Sequence, residues 1–194
     1  MSWQSGTVSD LIYANPSAGT AKSSFTSEVP INDTAGMGPV ALLLPQYFLP
    51  GYGLLKTISI KARGILSSTG TPTYTFTVRL GPQASTTAAI ILGSAALTTG
   101  SGVTNQIWDF EGDFTMRTIG AAGANSTGMG MGTLSSPGLA APYIYPLWGG
   151  ASSPGTVATV DASIANYINF NVACSASSGS NSITLLQLYV YGQN

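Results

Sequence analysis

Three acidic side chains alternate along the stretch IWDFEGDFTMRTI. Asp109, Glu111 and Asp113 would lie on one face of a β-strand, with ~6 to 7 Å between neighbours. A glycosidase needs two carboxylates about 5.5 to 9.5 Å apart, and clustered oxygen ligands can hold calcium. A solvated strand face is far more common, with the acids paired to Arg117 or to basic residues on the neighbouring strand, and we favour it.

Other catalytic arrangements lack their residues. The chain has no histidine, which removes the commonest general base and the commonest zinc ligand. The single cysteine, Cys174, cannot form an intrachain disulfide and alternates in phase with apolar residues, so we expect it in the core. No Gly-Lys-Ser/Thr follows the glycines at 128–132, which argues against a phosphate-binding loop. We predict a protein that is not an enzyme and uses no cofactor or metal.

Aromatic side chains mark one candidate interaction site. Tyr143, Tyr145 and Trp148 lie in a Pro/Gly-rich stretch, residues 134–155, that is too long for a simple turn. Exposed aromatic side chains can anchor a protein partner or stack on sugar rings. Capping one end of the fold or contacting another subunit is the more common role for large aromatic residues.

Basic side chains mark a second candidate site. Lys61, Arg63 and Arg79 are half of the six basic residues of the chain, and their parity predicts that they share a solvent-exposed face. Solvation is the ordinary role of such a patch. If this face has a partner, we expect an acidic protein surface, because the basic residues are too few and too scattered for nucleic acid.

The strongest pattern is the alternation in GYGLLKTISIKARGILSSTGTPTYTFTVRLG, residues 51–81. It predicts an antiparallel hairpin with one apolar and one polar face, and this hairpin needs a second sheet to cover it. We count eight to ten strands and no helix. The predicted fold is an all-β, antiparallel, two-sheet jelly-roll sandwich, with an immunoglobulin-like sandwich as the alternative.

The chain divides into two predicted parts. Residues 1–20 form an N-terminal segment with the first strand, available as an interaction arm, and residues 21–194 form one jelly-roll domain that includes the aromatic loop. The glycines at 120–132 suggest a strand that another backbone approaches closely. The last strand, Ile183 to Tyr191, is apolar on both parities, which predicts a position inside a sheet or at a subunit interface.

Charge is scarce along the whole chain. Charged residues are 7% of the total and the net charge is −1, against roughly 25% charged residues in ordinary soluble domains. We therefore expect that copies of the chain or a larger assembly cover much of its surface. No secretory signal and no apolar run of membrane-spanning length is visible, so we expect folding in a cytoplasm and no insertion into a membrane.

Three segments carry a resemblance to a known group: LIYANPSAGTAKSSFTSEVPI, the 51–81 stretch with its G-x-L-S-S-T-G-T-P-T turn, and NYINFNVACSASSGSNSITLLQLYVYG. Together they resemble the jelly-roll minor structural proteins of tailed bacteriophages, including capsid decoration, or cement, proteins. The resemblance implies a homotrimer on the outer surface of the virion head, bound to the major capsid protein and stabilising the shell by bridging its subunits.

Two other functions stay open at this point. One is a receptor-binding or tail-fibre tip module that recognises a host glycan through Tyr143, Tyr145 and Trp148. The other is a polysaccharide-degrading enzyme that uses Asp109, Glu111 or Asp113, which the solvated face expected for that strand disfavours.

Overall fold

The computed structural model describes residues 9–15, 17–32, 43–46, 48–49, 56–82, 86–123, 126–150 and 157–193. Within these ranges the regular secondary structure consists of fourteen β-strands, and no described residue is helical. The strands are β1 (Ser9–Ala14), β2 (Lys22–Ser23), β3 (Val29–Pro30), β4 (Leu43–Leu44), β5 (Thr57–Ser68), β6 (Thr73–Gly81), β7 (Ala89–Gly93), β8 (Leu97–Thr98), β9 (Val103–Thr118), β10 (Ser126–Ser135), β11 (Ile144–Trp148), β12 (Ala158–Val160), β13 (Asn166–Cys174) and β14 (Ser182–Gln193).

All fourteen strands join in one antiparallel sheet. Its main order is β1-β14-β5-β9-β10-β11-β7-β6-β13-β3, and the short strands β2, β4, β8 and β12 pair with β14, β13, β6 and β10. The all-β antiparallel prediction is confirmed. The predicted arrangement of two sheets with eight to ten strands is not confirmed. The sheet is continuous because β11 and β7 connect through the pair Trp148–Gly93. The strand number was too low because strands of only two residues show no alternation in the sequence.

The sheet folds back so that its two ends face each other across one core. Phe110 on β9 lies edge-on to Phe170 on β13, with 4.7 Å between ring centroids. The ring centroids of Phe76 on β6 and Trp108 on β9 are 5.3 Å apart, although three strands separate β6 from β9 in the sheet order. We call β1, β14, β5, β9, β10 and β11 the β5–β9 half, and β7, β6, β13 and β3 the β6–β13 half.

The predicted central hairpin is wrong in its pairing. β5 lies between β14 and β9, whereas β6 lies between β7 and β13, so the two strands are not paired with each other in the sheet. Their alternation is nevertheless as predicted, since Ile58 and Ile60 on β5 and Phe76 and Val78 on β6 are fully buried. The connection at 69–72 therefore crosses from one half to the other, because apolar faces can meet across a core as well as side by side.

The last strand has two apolar parities because it contains a bulge. The register of β14 against β5 shifts between Leu185 and Gln187, so one extra residue changes which parity faces inward. Leu185 and Leu188 are both buried, while Leu186 between them is 38% exposed. The predicted position inside a sheet is confirmed, since β1 and β5 flank β14.

The glycine-rich stretch forms β10, as the sequence suggested. A Cβ atom on Gly130 would lie 1.8 Å from the Ile91 carbonyl oxygen, and one on Gly132 would lie 2.3 Å from the Glu111 carbonyl oxygen. Only glycine fits these positions without a backbone shift, so the predicted close approach is confirmed. Cys174 is 2% exposed, as expected for a core residue.

The two parts proposed from sequence are only partly visible. β1, inside the 1–20 segment, pairs with β14 and so belongs to the sheet, while residues 1–8 lie outside the described residues. The 134–155 stretch contains the end of β10 and all of β11, and its residues 151–156 also lie outside the described residues. The boundary at residue 20 stays a prediction.

Candidate interaction surface

The outer face of β5 and β9 carries two ion pairs in consecutive positions. Lys61 lies directly opposite Glu111 and Arg63 opposite Asp109 in the antiparallel register. Lys61 Nζ is 2.5 Å from Glu111 Oε1, and Arg63 Nε is 3.0 Å from Asp109 Oδ2. The hydrogen bond to Glu111, followed by its charge, raises the pKa of Lys61. These side chains are about half exposed, so each pair contributes little to stability.

The third acidic residue is also engaged. Asp113 accepts a hydrogen bond of 2.5 Å from the hydroxyl of Ser59 on β5. The predicted pairing of the acidic trio with basic residues of a neighbouring strand is confirmed for Asp109 and Glu111. Arg117 has another contact, with its Nη2 3.9 Å from Met129 Sδ.

The acidic trio does not form a metal site in the described part of the chain. Within those ranges, no group of three or more His, Cys, Asp or Glu residues is placed to hold a metal ion. The described residues therefore give no support to the calcium alternative for Asp109, Glu111 and Asp113. Their arrangement is that of a solvated face with cross-strand pairs.

Arg79 lies apart from Lys61 and Arg63. It belongs to β6, on the outer face of the other half, and its guanidinium forms two parallel bonds to Glu28: Nε to Oε1 at 2.7 Å and Nη2 to Oε2 at 2.8 Å. Nη1 also donates to the Ala88 carbonyl oxygen at 2.6 Å. The predicted three-residue basic patch is therefore wrong, because β6 is not the neighbour of β5.

Glu28 is the centre of this second cluster, and sequence reasoning missed it. It also accepts hydrogen bonds from Thr77 Oγ1 at 2.6 Å and Asn171 Nδ2 at 2.8 Å. Burial disfavours its charged form, but the hydrogen bonds from Arg79, Thr77 and Asn171 and the charge of Arg79 outweigh burial and hold the pKa of Glu28 below its usual value. The side chains of Arg79 and Glu28 are only 14% and 19% exposed. A single acid before Val29 and Pro30 gives no periodic signal that could have revealed this role.

The three candidate aromatic residues do not share one surface. Tyr145 lies opposite the buried Leu134 and packs against the core, and its hydroxyl donates to the Ala140 carbonyl oxygen. Trp148 lies opposite Met131 on the other face of β11. Tyr143 precedes β11, is 52% exposed and has a left-handed backbone conformation with φ 69°. The structure therefore places Tyr145 on the core side, Tyr143 on the surface and Trp148 partly exposed on the outer face.

Exposed apolar side chains line up on the outer face of β10 and β11. Met131 pairs with Trp148, and Ile144 and Pro146 share the face of Trp148. Met131 is 67% exposed and Ile144 is 62% exposed. We call Met131, Ile144, Pro146 and Trp148 the β10–β11 strip. Large apolar side chains that cluster on a surface typically mark a contact site.

A shallow depression of about 580 Å³ opens on the other side of the ion pairs, toward β14. Its lining residues are Arg63, Gly64, Ile107, Asp109, Leu186 and Gln187. Two further residues continue this face along β14: Tyr189 lies opposite Lys61 and Tyr191 lies opposite Ser59. Their rings stack with 6.4 Å between centroids and 25° between planes. Sequence reasoning placed Tyr189 and Tyr191 on an apolar parity and missed that they lie, partly exposed, beside the ion pairs.

Comparisons with known proteins add little. No protein-family model matches the chain, and no curated protein matches it. Among solved structures, it is similar to the CBM2 module of the evolved Dit of Lactobacillus casei BL23 phage J-1, with 11% identity and a TM-score of 0.35 over 95% of this chain and 96% of that one. This likeness is too low to indicate a shared fold or function. No helix among the described residues is long and apolar enough to span a bilayer.

Proposed function

We propose that this chain is a structural protein of a tailed-bacteriophage particle, and more specifically a decoration protein of the head. The observation that carries the proposal is the β10–β11 strip, which leaves Met131 and Ile144 more than 60% exposed on a chain with 7% charged residues. The three sequence segments that resemble phage structural proteins give the class of assembly. A protein that works by covering other proteins needs such a surface and no catalytic group.

The mechanism is burial of apolar surface. Each apolar Å² removed from water contributes about 25 cal/mol, and aromatic and methionine side chains are enriched at protein interfaces. The β10–β11 strip supplies this contact toward the major capsid protein or toward another copy in a homotrimer. Bridging of neighbouring capsid subunits by the bound protein would then stabilise the shell.

The polar part of the face supports the absence of catalysis. Asp109 and Glu111 are each held by a cation at 3.0 Å or less, and Asp113 is held by Ser59. A glycosidase acid must instead be free to protonate its substrate. We therefore propose a non-enzymatic protein.

A tail-associated, receptor-binding module is the second candidate. The accessible side chains of Tyr143 and Trp148 favour it, since exposed aromatic rings can stack on a sugar. Because Tyr145 points inward, it cannot take part in the glycan site that was predicted from sequence with Tyr143, Tyr145 and Trp148. The position of the chain in the particle distinguishes the two candidates.

The test is to find the chain in virus particles purified from its source. Mass spectrometry and cryo-EM should show it on the outer surface of the head, in a copy number set by the icosahedral lattice. Density at the tail tip would favour the receptor-binding candidate instead. Absence from the particles would overturn both candidates.

A binding experiment tests the β10–β11 strip itself. Heads that lack the chain are mixed with the wild-type protein, with Ile144→Glu, or with Ile119→Glu as the matched control, since Ile119 is also an exposed isoleucine, at 53%, outside the strip. Ile144→Glu should lower occupancy on the heads while Ile119→Glu binds like the wild type. Equal binding by all three proteins would remove the strip from the interface.

A further inference from the structure

The depression beside β14 is formed by a specific local irregularity. The bulge between Leu185 and Gln187 turns both Leu186 and Gln187 outward. Beside it the backbones of β14 and β5 lie close together, since a Cβ atom on Gly64 would lie 2.0 Å from the Thr184 carbonyl oxygen. Bulges often re-aim side chains at functional positions. Here the bulge exposes one apolar and one amide side chain at the rim of an open depression.

The polar lining of the depression is electrically balanced. Arg63 and Asp109 neutralise each other at 3.0 Å, and Gln187 adds an uncharged amide. Arg63 approaches Asp109 through Nε, and a guanidinium carries five N–H donors in all. The depression therefore offers a planar donor group, a carboxylate acceptor and an amide with both functions, without a net charge. This combination fits a neutral ligand rich in hydroxyl groups.

The apolar lining suits the same ligand. Ile107 is 66% exposed and Leu186 is 38% exposed at the edge of the depression. Tyr189 follows Gln187 by two positions and so lies on the same face, and its ring stacks with that of Tyr191. Sugar rings present C–H surfaces that pack on flat apolar groups, while their hydroxyls pair with planar polar side chains. The surface from the depression to Tyr191 therefore carries both polar side chains for the hydroxyls and flat apolar groups for the C–H surfaces.

We infer that the depression and the Tyr189–Tyr191 row form a binding site for a neutral saccharide. Arg63, Asp109 and Gln187 bond the hydroxyls of one sugar unit, and Tyr189 stacks against the next. An anionic glycan is a poorer ligand, because the two cations of this face, Arg63 and Lys61, are already paired with Asp109 and Glu111. This site shares no lining residue with the β10–β11 strip or with Tyr143, so it does not depend on the proposed function.

The experiment uses the isolated full chain and an array of oligosaccharides, both neutral hexose chains and chains with uronic or sialic acids. Neutral members should bind, the acidic ones should bind less, and the affinity should be the same at low and high salt, because no net charge is involved. Calorimetry then measures variants against the best neutral member. Gln187→Ala and Tyr189→Ala should each weaken binding by about tenfold, the typical effect of one lost hydrogen bond to a polar ligand or one lost stacking contact.

Two controls identify the site. Tyr189→Phe keeps the ring and should bind nearly as the wild type, and Tyr143→Ala removes an exposed tyrosine elsewhere and should change nothing. Thermal unfolding of each variant shows that a loss of binding is not a loss of fold; Gln187 is exposed, so its variant should unfold as the wild type does. Failure to bind any neutral saccharide, or loss of binding in Tyr143→Ala with full binding in Gln187→Ala, would overturn the inference. Neither result bears on the location of the chain in a particle.

Discussion

The two halves of the sheet use the same charged groups in opposite ways. On the β5–β9 half, Arg63 meets Asp109 with side chains 60% and 44% exposed. On the β6–β13 half, Arg79 meets Glu28 with side chains 14% and 19% exposed. The first pair is surrounded by solvent, whereas the second is bidentate and shares Thr77 and Asn171. Burial and the number of hydrogen bonds, rather than the residue types, separate a solvated pair from a structural one.

This difference has a structural cause. Arg63 and Asp109 lie directly opposite each other on adjacent strands. Their ion pair therefore joins two strands that are already paired in the sheet. Glu28 comes just before β3, at the edge of the sheet, and reaches the side chains of β6 and β13. The Glu28 cluster therefore ties the early part of the chain to two strands that are more than forty positions away in sequence. We expect its loss to affect stability far more.

Removal of the two arginines gives the largest expected contrast. Arg79→Leu leaves Glu28 mostly buried without its cation, and breaking such a pair typically costs about 3 kcal/mol or more. Arg63→Leu leaves an exposed Asp109 in water and should cost about 0.5 kcal/mol or less. Urea unfolding of both variants measures the two free energies of unfolding. Equal losses would mean that the exposure difference does not set the strength of these pairs.

The pH dependence sharpens the same comparison. The folded pKa of Glu28 lies below its unfolded value, which is about 4.3 for a free glutamate. Its contribution is therefore fully present above the unfolded pKa and is lost as the pH falls through the folded pKa. The stability gap between the wild type and Glu28→Gln should be widest near neutral pH and should shrink below about pH 4.

A matched variant keeps this pH test specific. Glu111→Gln makes the same change on the exposed face, where the ion pair with the solvated Lys61 contributes little to stability. Urea unfolding at neutral and acidic pH compares the two variants. A gap for Glu28→Gln that stays constant with pH would show that the contribution of Glu28 is steric rather than ionic.

The sequence predicted individual strands and their inward faces, but not which strands pair with each other. The inward faces of β5 and β6 follow from the period-2 alternation of residues 51–81. The partners of each strand were not predictable, because alternation is the same whether the next strand lies beside it or across the core. The bulge at Leu186 was hidden for a related reason: in the run LLQL, both parities already look apolar.

In the candidate site, the sequence predicted only contacts between side chains on the same face of adjacent strands. Pairing of Asp109 and Glu111 with basic residues followed from their shared face. The division of Lys61 and Arg63 from Arg79 did not follow, since it depends on the crossing between β5 and β6. The Glu28 cluster and the depression beside Gln187 join residues that are far apart in sequence, and no local pattern reports such contacts.

The smallest expected effect belongs to the exposed pair Lys61–Glu111. Lys61→Glu places two acids side by side and should lower the free energy of unfolding by a few tenths of a kcal/mol, roughly the value of one exposed pair. The double variant Lys61→Glu/Glu111→Lys restores the pair with the charges exchanged and should recover that loss. If Lys61 also meets an acidic partner on a particle, the double variant should regain stability but still bind the particle less well. If the double variant matches the wild type in both stability and particle binding, the sign of the charge at position 61 does not matter for binding. The face is then only solvated.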